Sequence, residues 1–370
     1  MASFLFQASL AVSGLVGSAL GSALSIRGHD RPGHGNCPPF NNGTFEIHQW
    51  QLYPDMARFD FHTCLLYISS LFNGTLVTYD PYAATTISIT SFPGISDVYD
   101  EHASGIHLSP TTGILSLVID AQPAFLTGGA NTSGDYWLIK YSTRSRRELW
   151  RANLTSATDA KWSGFQDVAV DRRGNSYVIG TYPSSILRVD ASGHELFPWV
   201  PPATPNTTVH GYTGVASLPD RDLLLVVDSN NVPEELSEGD SLLWRFDMRD
   251  AVGRPERIRV LPEGTKLGVP DAIHLPERYG GRVMLLSLNY VGVTVLRSRD
   301  GWRTAEFRGI WRSDFPAFFQ RIIPSTVQIG EKLFAVGQRF PGEIVAGTKG
   351  GNQSDFPFFD ITAEVESLLA

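Results

Sequence analysis

Phe165-Gln-Asp-Val-Ala-Val170, Asp171-Arg-Arg-Gly-Asn175, Ser176-Tyr-Val-Ile-Gly180, Thr181-Tyr-Pro-Ser-Ser185 and Ile186-Leu-Arg-Val-Asp190 follow one another without a gap. They read as strand, turn, strand, loop, strand. The apolar runs are short and β-branched, and the breaks fall at Asp, Gly, Asn and Pro, where turns form most easily. The same unit recurs along the chain about six times, which is how a β-propeller writes itself into sequence. Other copies occupy 56–61, 65–69 and 75–79; 103–108 and 114–119 with outer strands at 137–141 and 148–151; 214–218, 223–227 and 242–246; 271–275, 283–288 and 293–296; and 326–329, 332–336 and 343–346. The expected fold is therefore all-β, a six-bladed β-propeller over 45–370, with one or two helical turns at 361–369. Segments 121–134, 198–212 and 229–240 are rich in Pro, Gly, Asn and Ser and read as long surface loops.

Residues 4–20 are apolar or small and uncharged, and small residues follow at 19–23. This pattern predicts a signal peptide over 1–23, then an N-terminal arm over 24–44, and a secreted or vesicular protein with no membrane attachment after cleavage. Six Asn-x-Ser/Thr sequons fit that route: Asn42, Asn73, Asn131, Asn153, Asn206 and Asn352. The two cysteines, Cys37 and Cys64, are expected to pair in an oxidising compartment. A net charge of −8 excludes the basic face that nucleic-acid binding requires.

Antiparallel strands put the start of each first strand and the end of each second strand on one face. That rule collects a channel mouth: His102, Gln166, Asp167, Tyr212, Thr213, Asp271, Ser325 and Thr326 from strand starts, and Gln122, Tyr182, Asn230, Tyr290, Gln338 and Arg339 from strand ends. Neutral hydrogen bonders, phenols, two carboxylates, one His and one Arg suit a small, largely apolar organic ligand with a few oxygens. His102, or Glu101 beside it, is the expected proton donor, with Gln166, Tyr212 or Arg339 donating to substrate oxygens. Gln122, Tyr182, Thr213, Asn230, Asp271, Tyr290, Thr326 and Gln338 complete the expected substrate site. His107 and His274 fall inside strands and read as core or interface histidines, and Trp162, Trp199, Trp302 and Trp311 as gap fillers between blades. The sequence contains no GxSxG elbow, HExxH or EF-hand pattern.

Gln166-Asp-Val-Ala-Val-Asp-Arg-Arg-Gly-Asn, Leu65-Leu-Tyr-Ile-Ser and Pro270-Asp-Ala-Ile resemble the gluconolactonase-like propellers. That resemblance implies a divalent ion, usually calcium, and a lactonase or esterase activity; Asp271 is the residue that matches the family's aspartate. Over residues 37–365 the chain is more similar to fungal propellers of secondary-metabolite clusters. The similarity runs through the cysteine pair, Leu76-Val-Thr-Tyr-Asp-Pro, Ile186-Leu-Arg-Val-Asp and Ser298-Arg-Asp-Gly-Trp. These relatives include trichothecene-cluster propellers and the hetero-Diels–Alderases of tropolone-sesquiterpenoid pathways. This second resemblance implies cofactor-free cycloaddition of a tropolone-derived o-quinone methide to a humulene-type terpene; a non-catalytic metabolite-binding propeller is the remaining alternative.

Overall fold

The computed structural model describes residues 37–232, 239–313, 321–339 and 342–370. The expected signal peptide and most of the arm lie outside the described residues. Six sheets are arranged as a six-bladed β-propeller. The first blade is β2 (Pro54–Asp60), β3 (Leu65–Ser70), β4 (Thr75–Asp80) and β5 (Thr85–Thr90). The second is β6 (Glu101–Leu108), β7 (Ile114–Ala121), β8 (Trp137–Ser142) and β9 (Arg147–Asn153). The third is β10 (Ser163–Val170), β11 (Ser176–Tyr182), β12 (Ser185–Val189) and β13 (Leu196–Val200), and the fourth is β14 (Tyr212–Leu218), β15 (Leu223–Asp228), β16 (Leu242–Asp247) and β17 (Glu256–Arg257). The fifth runs β19 (Ala272–His274), β20 (Val283–Leu288), β21 (Gly292–Arg297) and β22 (Thr304–Arg312), with β18 (Arg259–Leu261) added in parallel at its edge.

The sixth blade is β23 (Arg321–Ile329), β24 (Lys332–Arg339) and β25 (Asp355–Asp360), and its outermost strand is β1 (Phe45–His48) from the other end of the chain. Phe45 pairs with Phe358 and His48 with Asp355. The strand expected at 343–346 does not form. Those residues are largely exposed and make only an isolated bridge, Ile344 to Gly351. Segment 355–360 takes the place because Phe356 and Phe358 are wholly buried, and burying an aromatic contributes far more than the half-exposed Ile344 does. Cys37 and Cys64 form a disulfide that ties the arm to the β2–β3 turn.

Side chains alternate along each strand, so both faces of every blade are apolar and pack against a neighbour. Six separate cores result, one for each interface between adjacent blades. The core between the sixth and first blades joins Ile47, Phe356 and Phe358 to Leu66, Ile68 and Tyr79, which closes the ring. Trp199 and Trp302 fill two of these cores as expected. A short helix α1 (Gln122–Leu126) occupies the β7–β8 connection, and helix α2 (Thr362–Leu369) docks Val365 between the fifth and sixth blades. None of the described helices is long and apolar enough to cross a membrane.

Candidate functional site

Five of the six inner strands break register at the same height. The breaks fall between Pro54 and Ala57, Ala103 and Ile106, Phe165 and Asp167, Tyr212 and Gly214, and Ile322 and Ser325. A bulge leaves residues unpaired and turns their side chains away from the sheet. Here it frees Asp55, Ser104, Gln166 and Thr213 to meet across blade boundaries. Ser104 Oγ donates to Asp55 Oδ2 (3.1 Å) and to the Gln166 carbonyl (2.9 Å). Gln166 Nε2 donates to the Thr213 carbonyl (3.3 Å), and Thr213 Oγ1 to the Pro270 carbonyl (2.5 Å). His274 Nδ1 meets Thr326 Oγ1 at 2.9 Å, and Ser325 Oγ donates to the Asp55 carbonyl at 2.8 Å. The contacts form a belt around the channel that touches all six blades. Gly105 allows the closest approach within it, since a Cβ there would lie 2.5 Å from Asp167 Cα and from the Gln166 carbonyl.

The belt encloses carboxyl groups. Asp55 is only partly exposed; burial raises it to about 6, and the Ser104 hydroxyl opposes that shift. Asp120, at the end of β7, is raised well above the usual carboxylate range by burial and by the charge of Asp55. Burial raises Asp167 to about 7 even though the Val215 and Val168 amides bond its two oxygens at 2.9 and 2.8 Å. His102 is buried with its ring edge-on to Phe72, and its Nδ1 lies 3.9 Å from Asp120 Oδ1. Burial, helped by the Lys349 ammonium, lowers His102 to about 3, so the imidazole is neutral at physiological pH. Glu101 is raised to about 7 by burial. The Lys349 ammonium bonds the carbonyls of Ser96, Val98 and Glu101 (3.2, 2.5 and 3.1 Å), bracing the sixth-blade connection against the entry to β6.

The expected site residues divide into groups. His102, Gln166, Asp167, Thr213, Ser325 and Thr326 belong to the belt or adjoin it. Both amide hydrogens of Gln166 bond protein oxygens, the Thr181 hydroxyl at 2.9 Å and the Thr213 carbonyl, leaving its own carbonyl as an acceptor. Asp271 accepts from Asn289 Nδ2 at 3.2 Å, and Gln338 is buried with its Oε1 unbonded among the described residues. Tyr212 and Tyr182 turn instead into interblade cores, where Tyr212 packs on Phe246 and Tyr182 on Phe125 and His210. Gln122 starts α1, Arg339 ends β24, and Asn230 and Tyr290 are exposed on connections at the same face. Among the described residues, no three His, Cys, Asp or Glu side chains gather as a metal-holding group.

Asp55, Ser104 and Asp120 were not among the expected residues. Asp120 ends a second strand two residues before Gln122, and Asp55 opens the first blade as Gln166 opens the third. The strand-start rule applied to the first blade would have collected Asp55, and the strand-end rule taken two residues earlier in the second blade would have collected Asp120. The face carries a second feature. Of the eleven large apolar side chains exposed among the described residues, six lie on its connections: Trp50, Val98, Tyr99, Leu126, Tyr290 and Ile344.

No family model matches the chain. It is 30% identical over 354 residues to trichothecene biosynthesis protein 14 of Trichoderma arundinaceum, covering 91% of this chain and 93% of that one. It is also 30% identical over 351 residues to core trichothecene cluster protein 14 of Fusarium sporotrichioides, covering 90% and 89%. Among solved structures, the major Malassezia sympodialis allergen Mala s 1 superposes with a TM-score of 0.70 at 19% identity, over 86% of this chain and 96% of that one. A luciferin-regenerating enzyme superposes with a TM-score of 0.52 at 12% identity, over 86% and 95%. Both structures speak to the fold alone, whereas the two sequence relatives span nearly the whole chain. The chain belongs to the family of the trichothecene-cluster 14 proteins.

Proposed function

We propose that this protein is a secondary-metabolite biosynthetic enzyme that joins two partners at the channel mouth by a hetero-Diels–Alder cycloaddition. The names of its relatives supply the biosynthetic setting. The observation that carries the chemistry is a group of three carboxyls on adjacent blades, Asp120 raised well above the usual carboxylate range by burial, Asp167 to about 7 and Asp55 to about 6, beneath a rim of exposed apolar side chains. A carboxylic acid kept neutral can protonate a leaving hydroxyl, and apolar walls can hold a hydrocarbon partner.

In the proposed reaction a hydroxymethyl tropolone gives up its ring hydroxyl proton, its exocyclic C–O bond breaks, and water leaves with a proton from the protein. The o-quinone methide then adds across an alkene of a humulene-type terpene, forming one C–C and one C–O bond. The ring proton restores the acid, so no oxidant or reductant is consumed. Asp120 and His102 are assigned the proton transfer, with Glu101 next to them at the entry to β6. Arg339, Gln338 and Tyr290, from the fifth and sixth blades, are assigned to the tropolone oxygens. Holding both partners in one orientation supplies up to about 7–11 kcal/mol of barrier reduction, and acid–base assistance about 10²–10⁴-fold in rate.

The assignment is tested by initial rates with Asp120→Asn and His102→Gln. A fall of about 10²-fold in either variant, with unchanged circular dichroism, is expected. Wild-type rates in both would remove the pair from the mechanism.

A further inference from the structure

The channel changes character below the belt. Arg58 lies three residues beyond Asp55 on β2, and His107 three beyond Ser104 on β6, so at a strand rise of ~3.3 Å both sit roughly 7–10 Å deeper. His274 reaches the same zone from β19. Burial lowers Arg58, opposed by the charge of Asp167 on the third blade. Burial also lowers His107 on the second, with the charges of Lys140 and then Arg58 adding to it, and His274 on the fifth, with Arg58 adding to it. Arg58, His107, Asp167 and His274 all stand on the innermost strands of their blades, β2, β6, β10 and β19, which line the channel.

The donors in this zone exceed the acceptors. Arg58 Nη1 donates to the Ala57 carbonyl at 2.9 Å, and Nη2 lies 3.9 Å from the Met56 sulfur. No carboxylate bonds the guanidinium among the described residues, because the oxygens of Asp167 are held by the Val168 and Val215 amides. His107 has no hydrogen-bond partner among the described residues, and His274 engages Thr326 through Nδ1, leaving Nε2 unbonded among the described residues. Behind His107 the buried Lys140 ammonium donates to Ser116 Oγ at 2.7 Å and adds positive potential. Arg58 is only partly exposed, a cation without a bonded carboxylate there is costly, and it is flanked by unspent donors from two other blades.

We propose that this lower channel is a binding site for a small oxyanion, a carboxylate or phosphate group, held by Arg58 with His107 and His274. The site is separate from the mouth and does not depend on the cycloaddition. Its charged and titratable surroundings are Asp55, Asp120, Asp167, His102 and Lys140. Burial holds the three carboxyls protonated up to pH values well above those of free carboxyls, so the negative charge opposing an anion falls as pH drops from about 8 to 6. Anion affinity therefore rises over that interval.

The test is nitrogen-15 NMR of the histidine side chains in the full chain, titrated with sodium acetate and, separately, with sodium phosphate at ionic strength fixed by chloride. Saturable shifts of the His107 and His274 imidazoles with either anion are expected. Arg58→Gln is expected to weaken saturation at least about tenfold, the worth of one charge-assisted hydrogen bond. No saturation with either anion, or equal saturation in the variant, would overturn the proposal. Should Arg58→Gln fail to fold, the wild-type protein still decides. Acetate, whose charge is constant from pH 6 to 8, must bind more tightly at pH 6; equal or weaker binding there contradicts the site.

Discussion

Ser325 donates its hydroxyl to the backbone carbonyl of Asp55 at 2.8 Å across 270 residues of sequence, joining the last inner strand to the first. The contact lies in the channel, while β1 closes the same pair of blades at the rim. The ring is thus locked at both its inner and its outer edge. Ile47, fully buried on β1, carries much of the outer lock. Ile47→Ala is expected to cost about 2–5 kcal/mol in urea unfolding. Reducing Cys37–Cys64, which closes a 27-residue separation, is expected to cost a further ~3 kcal/mol by freeing the unfolded chain. If both changes left the midpoint unmoved, the outer edge would not be closing the ring.

Gly105 sets the distance between the second and third inner strands. Its missing Cβ faces backbone, which cannot swing aside as a flexible side chain would. Gly105→Ala is expected to destabilise by roughly 3 kcal/mol, the upper range for overpacking, and to disturb the belt at Gln166. Equilibrium unfolding beside a wild-type control measures it, and a change within experimental error would contradict the close approach.

Asp120 links stability to pH. Its pKa is raised in the folded state by burial and by the Asp55 charge. The favourable contribution of its protonated form is complete below the unfolded value near 4 and is lost as pH rises through the folded value. Asp120→Asn removes that titration, so the variant gains stability relative to wild type on going from pH 5 to pH 8. Paired denaturation curves at the two pH values read the sign directly. A relative loss for the variant at pH 8 would mean that Asp120 is a stabilised carboxylate.

Glycan occupancy should follow exposure when the chain is expressed through a secretory pathway. Asn42, Asn131, Asn206 and Asn352 are exposed. Asn73 is half-buried with its amide donating to the Gln51 carbonyl at 2.9 Å, and Asn153 bonds Asp135 at 3.2 Å. Peptide mapping after enzymatic deglycosylation is expected to find the first four modified and Asn73 bare. A glycan on Asn73 would contradict its placement against the mouth.

Most of the blade order was legible because a short apolar strand ended by Asp, Gly or Pro has few other readings, and the copies reinforce one another. The sixth blade was misread where local pattern and closure conflict. Residues 343–346 look like a strand in isolation, but only the ring shows that 355–360 and 45–48 fill that edge. At the site, strand-end counting found Gln166, Thr213 and Ser325. It could not show that bulges aim them at one another, because a bulge is set by strand pairing rather than by the residue type at the break. Nor could it tell that Tyr182 and Tyr212 turn into the cores, since side-chain direction flips with a one-residue change of register.

Catalysis at the mouth is open to a single assay. Purified protein is mixed with a hydroxymethyl tropolone and a humulene alcohol, with and without EDTA, and the adducts are resolved by chiral chromatography. Faster formation of one stereoisomer, undiminished by EDTA, is expected. Adduct formed only at the uncatalysed rate, without stereochemical preference, would contradict it.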